Sequence, residues 1–171
     1  MKLEFDKKRL FDYLTYLAII AFGIVLDQVT KLLAVNFLKG EPSVNIIGSF
    51  LRLSYVENTG MAFGMMKNAR WLFMTVSVLA ILAMLVYLFL AKNQPKLYTV
   101  SVSIIASGGI GNMIDRIALG YVIDFVDVKY FAVFNGADSL VCIGAGLLIL
   151  AMLLDIIEET KKQKSEKQKK E

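Results

Sequence analysis

The sequence predicts a membrane all-α protein, a bundle of four transmembrane helices with a small extracytoplasmic β-sheet and loop platform. Three observations lead there. Hydrophobic residues make up 57% of the chain and the mean hydropathy is +0.60, above the ~45–50% apolar usage of soluble domains. Four long apolar segments show no strict alternation. Basic residues cluster at positions that four crossings would bring to one side of a bilayer. The length of 171 residues fits a single domain spanning 1–171, with a core at about 14–155 and a basic tail at 156–171.

The first apolar segment runs from about Leu14 to Val35, uncharged until Asp27 and Lys31 interrupt it. Its basic leader resembles that of a secretory signal. No small-residue cleavage site follows, however, and LDQVTKLLAV continues the same helix, so a retained span is expected. The second segment, Trp71–Ala91, carries no charge; at ~1.5 Å per residue its length is ~31 Å, enough to cross. The third runs from Leu97 to about Ala118, uncharged until Asp115. The fourth covers about Ala137–Leu154, with Asp138 at its start and Asp155 at its end, where a solvated helix end accounts for the carboxylate.

Between the spans, FLRLSYV at 50–56 alternates and VIDFVDV at 122–128 is rich in β-branched residues, so both read as strands. Lys2, Lys7, Lys8 and Arg9, then Lys92 and Lys96, then the tail lysines from Lys161 to Lys170 fall on one side, which the positive-inside rule makes cytoplasmic. Both termini are then cytoplasmic, and 36–70 and 119–136 are extracytoplasmic. The tail reads as a membrane-flanking basic segment, disordered beyond the helix end, and not as a nucleic-acid surface, because no soluble basic domain presents it. Cys142 is the sole cysteine and lies in an apolar run, so a buried, inert thiol is expected. The chain has no histidine, leaving carboxylates, amides, hydroxyls and one thiol for chemistry.

Ionisable residues at membrane depth are rare and usually functional. Under this topology Asp27, Lys31, Asn112, Asp115, Arg116, Asp124, Asn135 and Asp138 converge on the extracytoplasmic interface. Asp27 and Lys31 are spaced i, i+4 with the acid first, as in a helical ion pair. Asn112 and Asp115 share a helix face, and Arg116 is able to clamp a carboxylate. Gly108, Gly109 and Gly111 permit close helix contact. Asp124 and Asp138 are the main chemical candidates: paired carboxylates share a proton, so one activates water while the other protonates a leaving amine. The competing reading makes Asp138 an N-cap and Asp124 a partner of Arg116 or Lys129. Asn58 with Gly60 suggests a tight turn presenting an amide, beside an apolar patch of Met61, Phe63, Met65 and Met66.

The runs DQVTK at 27–31, NTGMAF at 58–63, GNMIDR at 111–116, VIDF at 122–125 and FNGADS at 134–139 resemble the lipoprotein signal peptidase family, signal peptidase II, in order and spacing. The resemblance implies an aspartyl peptidase of the bacterial inner membrane with four transmembrane helices. It would remove signal peptides from diacylglyceryl-modified prolipoproteins, on the amino side of the lipidated cysteine. It places the catalytic pair on Asp124 and Asp138. It makes Asn58, Gly60, Asn112, Asp115, Arg116, Asn135 and Ala137, with Asp27 and Lys31, substrate-binding or supporting positions. Met61 departs from the family's usual alanine. No cofactor or metal is expected; the expected partners are prolipoproteins and membrane lipid, and the chain is expected to act as a monomer. An ion-coupled transporter is the main rival, but it requires polar residues through the full membrane thickness, and the second segment is uncharged. A non-enzymatic lipoprotein scaffold is a further rival, and it would tolerate Asn at 124 and 138.

Overall fold

A computed structural model describes residues 7–60, 70–90 and 94–168. Among the described residues four helices and three strands follow one another: α1 (Lys7–Leu38), β1 (Val44–Ile47), β2 (Leu51–Asn58), α2 (Arg70–Leu90), α3 (Lys96–Ala118), β3 (Val122–Val128) and α4 (Gly136–Gln168). α1, α3 and α4 are long and apolar enough to cross a membrane, and α2 is apolar over Met74–Leu90 among the residues whose side chains are described. Large apolar side chains face outward, among them Phe22, Phe37 and Ile117, each at least 70% exposed. In water such a surface would aggregate; against lipid it is the expected exterior.

α3 is the central helix, and its glycines explain how. A β-carbon at Gly108 would run into the Ala137 carbonyl and Val141 of α4, one at Gly109 would approach Ile81 of α2 to 3.2 Å, and one at Gly111 would lie 2.5 Å from Asp27 Oδ2 of α1. Three glycines within one turn thus admit three different helices. The buried hydroxyls of Ser101, Ser103 and Ser107 donate to carbonyls within α3, which removes their need for water. Gly144 of α4 fits against Ile105 and the Ser101 carbonyl in the same manner. The lower core is Ile20, Leu88, Val102 and Ala106.

The helices run alternately up and down. Tyr13 donates to the Phe89 carbonyl at 2.8 Å, joining the start of α1 to the end of α2. Tyr98 donates to Asp155 at 2.8 Å, joining the start of α3 to α4. Asp155 therefore has a hydroxyl partner where solvation alone was expected. At the opposite end lies an antiparallel sheet of order β1-β2-β3. It rests on α1 through Ala34, Leu38 and Ile123, with Leu53, Tyr55 and Phe125 around them.

Both expected strands are present, and β3 keeps its expected bounds. Three expectations are corrected. β1 was not anticipated: it is a four-residue, fully exposed edge strand, too short to carry an alternation signal. The tail is helical to Gln168, because Glu, Lys and Gln favour helix and Glu158 pairs with Lys162 one turn on, at 2.7 Å. Cys142 is exposed on α4, since the inward face of that turn is used by Gly144. The patch of Met61, Phe63, Met65 and Met66 lies outside the described residues.

Gly144→Leu is expected to lower thermal stability in detergent by about 1–3 kcal/mol through overpacking of the α3–α4 seam. An unchanged melting temperature would show that the seam is loose.

Candidate active site

The sheet end of the bundle holds a connected polar cluster, and its parts come from distant stretches of chain. Lys31 is the anchor. Its side chain is 2% exposed and its ammonium meets Asp27 Oδ2 at 2.8 Å, Asp115 Oδ2 at 3.0 Å and Asn112 Oδ1 at 3.0 Å. An ammonium has three protons, and each has an acceptor. The remaining carboxylate oxygens are also engaged. Asp27 Oδ1 accepts from Ala137 N at 2.8 Å, which ties the start of α4 to α1. Asp115 Oδ2 also accepts from Ile123 N at 3.1 Å, which ties β3 to α3. Gln28 donates to Asp27 Oδ2, Asp115 Oδ1 and the Gly111 carbonyl at 3.1–3.3 Å. Sequence reading passed over Gln28; its position next to Asp27 was the only signal.

Asn135 lies one residue beyond Phe134, which pairs with β3 through its bridge to Val126. It caps α4: Asn135 Oδ1 accepts from Asp138 N at 3.0 Å and Asp138 Oδ2 accepts from Asn135 N at 3.2 Å. This reciprocal cap satisfies donors that the first turn of a helix leaves open. Asp138 is thus one turn inside the helix, and Asn135 holds the cap position that one reading assigned to Asp138. The cap orients the Asn135 amide, whose Nδ2 then donates to Asp124 Oδ1 at 2.6 Å and to Asn112 Oδ1 at 3.0 Å. Asn112 Nδ2 donates to Asp138 Oδ1 at 2.8 Å.

Asp124 sits on β3 and is 2% exposed. Asn58 ends β2 opposite Val122 and, as a diagonal cross-strand neighbour, donates from Nδ2 to Asp124 Oδ2 at 2.8 Å. Gly60 N donates to Asn58 Oδ1 at 2.8 Å with φ of 82°, a left-handed turn suited to glycine. The expected turn presenting an amide is therefore present, and the amide points at Asp124. Arg116 Nη1 donates to the Asn112 carbonyl at 3.4 Å, one turn back on α3. Ala137 is fully buried, with its N–H on Asp27.

Asp124 and Asp138 are hence joined through Asn135. Burial pushes the Asp124 carboxyl above its ordinary value; the hydrogen bonds from Asn58 and Asn135 oppose this, the Asp138 charge reinforces it, and Lys31 weakly opposes it. Among the described residues no group of three His, Cys, Asp or Glu side chains is arranged to hold a metal. What the geometry offers is a pair of carboxylates in unequal surroundings, Asp124 enclosed and Asp138 partly open, beside a fixed set of amide donors. Such a pair suits proton transfer in both directions at one bond.

Fold and site together define a multi-pass helical membrane protein with one carboxylate-rich site at its sheet end. The signal peptidase II family model matches residues 19–154. Relatives named lipoprotein signal peptidase include one from Clostridium tetani, 44% identical over 79% of this chain and 90% of its own. Another, from Symbiobacterium thermophilum, is 44% identical over 81% and 92%. A bacterial membrane enzyme solved by the in meso method at 2.3 Å superposes with a TM-score of 0.74 at 31% identity, covering 83% of this chain and 89% of that one. The chain belongs to the signal peptidase II family and is a protease of that kind.

Asn135→Ala removes the α4 cap and both amide donations; a stability loss of at least about 1 kcal/mol is expected in thermal unfolding. Asp124 gives a pH signature. Its raised value means that stability from the protonated form is fully present below the ordinary 3.8 and is lost as pH rises through the raised value. Asp124→Asn should therefore flatten the fall in melting temperature between acid and neutral pH. An equally steep fall in that variant would show that another group is responsible.

Proposed function

We propose that the chain is an aspartic-type endopeptidase of the bacterial inner membrane. It removes the signal peptide from diacylglyceryl-modified prolipoproteins, on the amino side of the lipidated cysteine. The observation that carries this reading is the bridge of Asn135 between Asp124 and Asp138, which holds two carboxylates from β3 and α4 at one site. One carboxylate, ionised, takes a proton from water as the oxygen adds to the scissile carbonyl carbon. The other, protonated, gives its proton to the departing nitrogen as the C–N bond breaks. The products are a signal peptide ending in a carboxyl group and a lipidated cysteine with a free amine. Neither step requires histidine.

The membrane placement follows from charge. α2 is the remaining crossing, the ends of the described chain share the cytoplasmic side with the 92–96 connection, and the sheet lies at the outer surface. The site is then at the depth where a lipid-anchored helix presents its last residues. An open, largely apolar groove of about 250 Å³, lined by Thr30, Leu33, Phe37, Leu38, Leu53 and Phe125, lies where the sheet meets α1 and suits an acyl or signal-peptide side chain. Holding the substrate by its lipid also orients the reacting bond. The protein acts as a monomer, and Asn58, Gly60, Asn112, Asp115, Arg116 and Ala137 support the site with Asp27 and Lys31.

Asp124→Asn and Asp138→Asn should each lower cleavage of a diacylglyceryl-modified precursor by at least about 10²-fold while the protein remains folded. Substantial turnover by either would falsify the dyad, and the unlipidated precursor serves as the control for substrate class. Cysteines placed at 45 and 94 should be labelled from outside and inside respectively; the reverse pattern overturns the orientation.

A further inference from the structure

Lys31 is charged and buried, and among the described residues its ammonium bonds directly to neither Asp124 nor Asp138, so it takes no part in moving the protons of the proteolytic step. Its three protons go to Asp27, Asp115 and Asn112. The contact with Asn112 has a consequence for direction. Asn112 Oδ1 receives two donors, Lys31 Nζ and Asn135 Nδ2, both at 3.0 Å. An amide oxygen facing two donors cannot be exchanged with its NH2, because the turned group would bring N–H against N–H. The Asn112 Nδ2 is therefore committed to Asp138 Oδ1. The Asn135 amide is committed in the same way by accepting from Asp138 N, and separately its backbone N–H donates to Asp138 Oδ2.

We propose that Lys31 is a positioning residue which, through Asn112, locks the donor pattern around Asp138 and so makes Asp138 the ionised base and Asp124 the protonated acid before substrate is cut. The proposal rests on the aspartate pair of the preceding section and assigns its two roles. Asp138 receives two N–H donors, one polarised by the Lys31 ammonium and one at the positive end of α4, and is partly open to the water it must activate. Asp124 is enclosed in the sheet and receives neutral side-chain amides. Among the described residues, the charged groups that Lys31 meets are Asp27 on its own helix and Asp115 on α3; Asp124 on β3 feels its charge, and Asp138 on α4 is joined to it through Asn112.

The test uses the full chain with a lipidated precursor over a range of pH. Lys31→Met alone orphans two buried acids, so it is combined with Asp115→Asn, which keeps the net charge of the Asp27–Lys31–Asp115 group unchanged while removing the donor to Asn112. With the lock lost, the acidic limb of the kcat profile should move up by about one pH unit, a tenfold lower rate on that limb. A lowered plateau and melting temperature with an unmoved limb would mean a purely structural lysine and would overturn the proposal. The roles have an independent readout. The carbonyl-stretch infrared band of a protonated carboxyl should be present in the native chain and lost in Asp124→Asn. Its persistence in that variant would show that the protonated carboxyl is a group other than Asp124 and overturn the assignment even if the double variant failed to fold. If Asp124→Asn and Asp138→Asn both cleave normally, it is the aspartate pair itself that fails, a distinct result.

Discussion

The structure depends on one constraint: an ammonium removed from water must have a partner for each of its protons. Lys31 finds them on α1 and α3, and those partners in turn draw in Ala137 N from α4 and Ile123 N from β3. One buried cation thereby fixes the relative position of three helices and a strand. Breaking such a pair from one side is costly, on the order of 3–5 kcal/mol, because the other charge stays buried. A hydrophobic core of similar volume would be as stable, yet it would leave the amide groups beside it free to turn. The ion cluster is better understood as an orienting device than as a source of stability.

The same logic explains where the polar groups are and where they are absent. In a bilayer apolar burial gives little drive for helices to associate, so close contact must come from small residues and internal hydrogen bonds. α3 supplies both, with glycines facing its three neighbours and serines bonded back to its own carbonyls. The lower half of the bundle is accordingly a plain packing problem built from Ile20, Leu88, Val102 and Ala106. The upper half has to seat carboxylates, and there the sheet acts as a cover. β3 brings Asp124 down onto the helix ends, and β2 brings the Asn58 amide to meet it. Burial raises the Asp124 carboxyl above its ordinary value, and it comes from placing a strand residue against the helix ends.

Much of this was legible in the residues. Long uncharged runs can only be helices at membrane depth, so the helices could be located closely, and the β-branched run at 122–128 was readable because the pattern is local. The Asp27–Lys31 pair was readable for the same reason, its partners being one turn apart. The helical tail was misread because charge was taken as a sign of disorder, although its Glu and Lys residues are good helix formers spaced for pairing. The exposure of Cys142 was misread because apolar surroundings in sequence do not separate a core-facing position from a lipid-facing one. Gln28 was missed because a glutamine on a helix has many possible partners and only the fold selects among them.

The sequence by itself determined the long apolar parts of the helices and the strands β2 and β3, and which residue types carry charge at membrane depth, since these follow from hydropathy and local spacing; β1 and the helical tail lay beyond it. It did not determine that Asn135 both caps α4 and bridges two carboxylates, nor that Lys31 orients Asn112. Those facts join residues up to 104 positions apart, Lys31 and Asn135 being connected through Asn112. Only the packing of α1, α3, β3 and α4 decided them, because a hydrogen bond forms where two groups meet in space, and separation along a chain carries no information about that meeting.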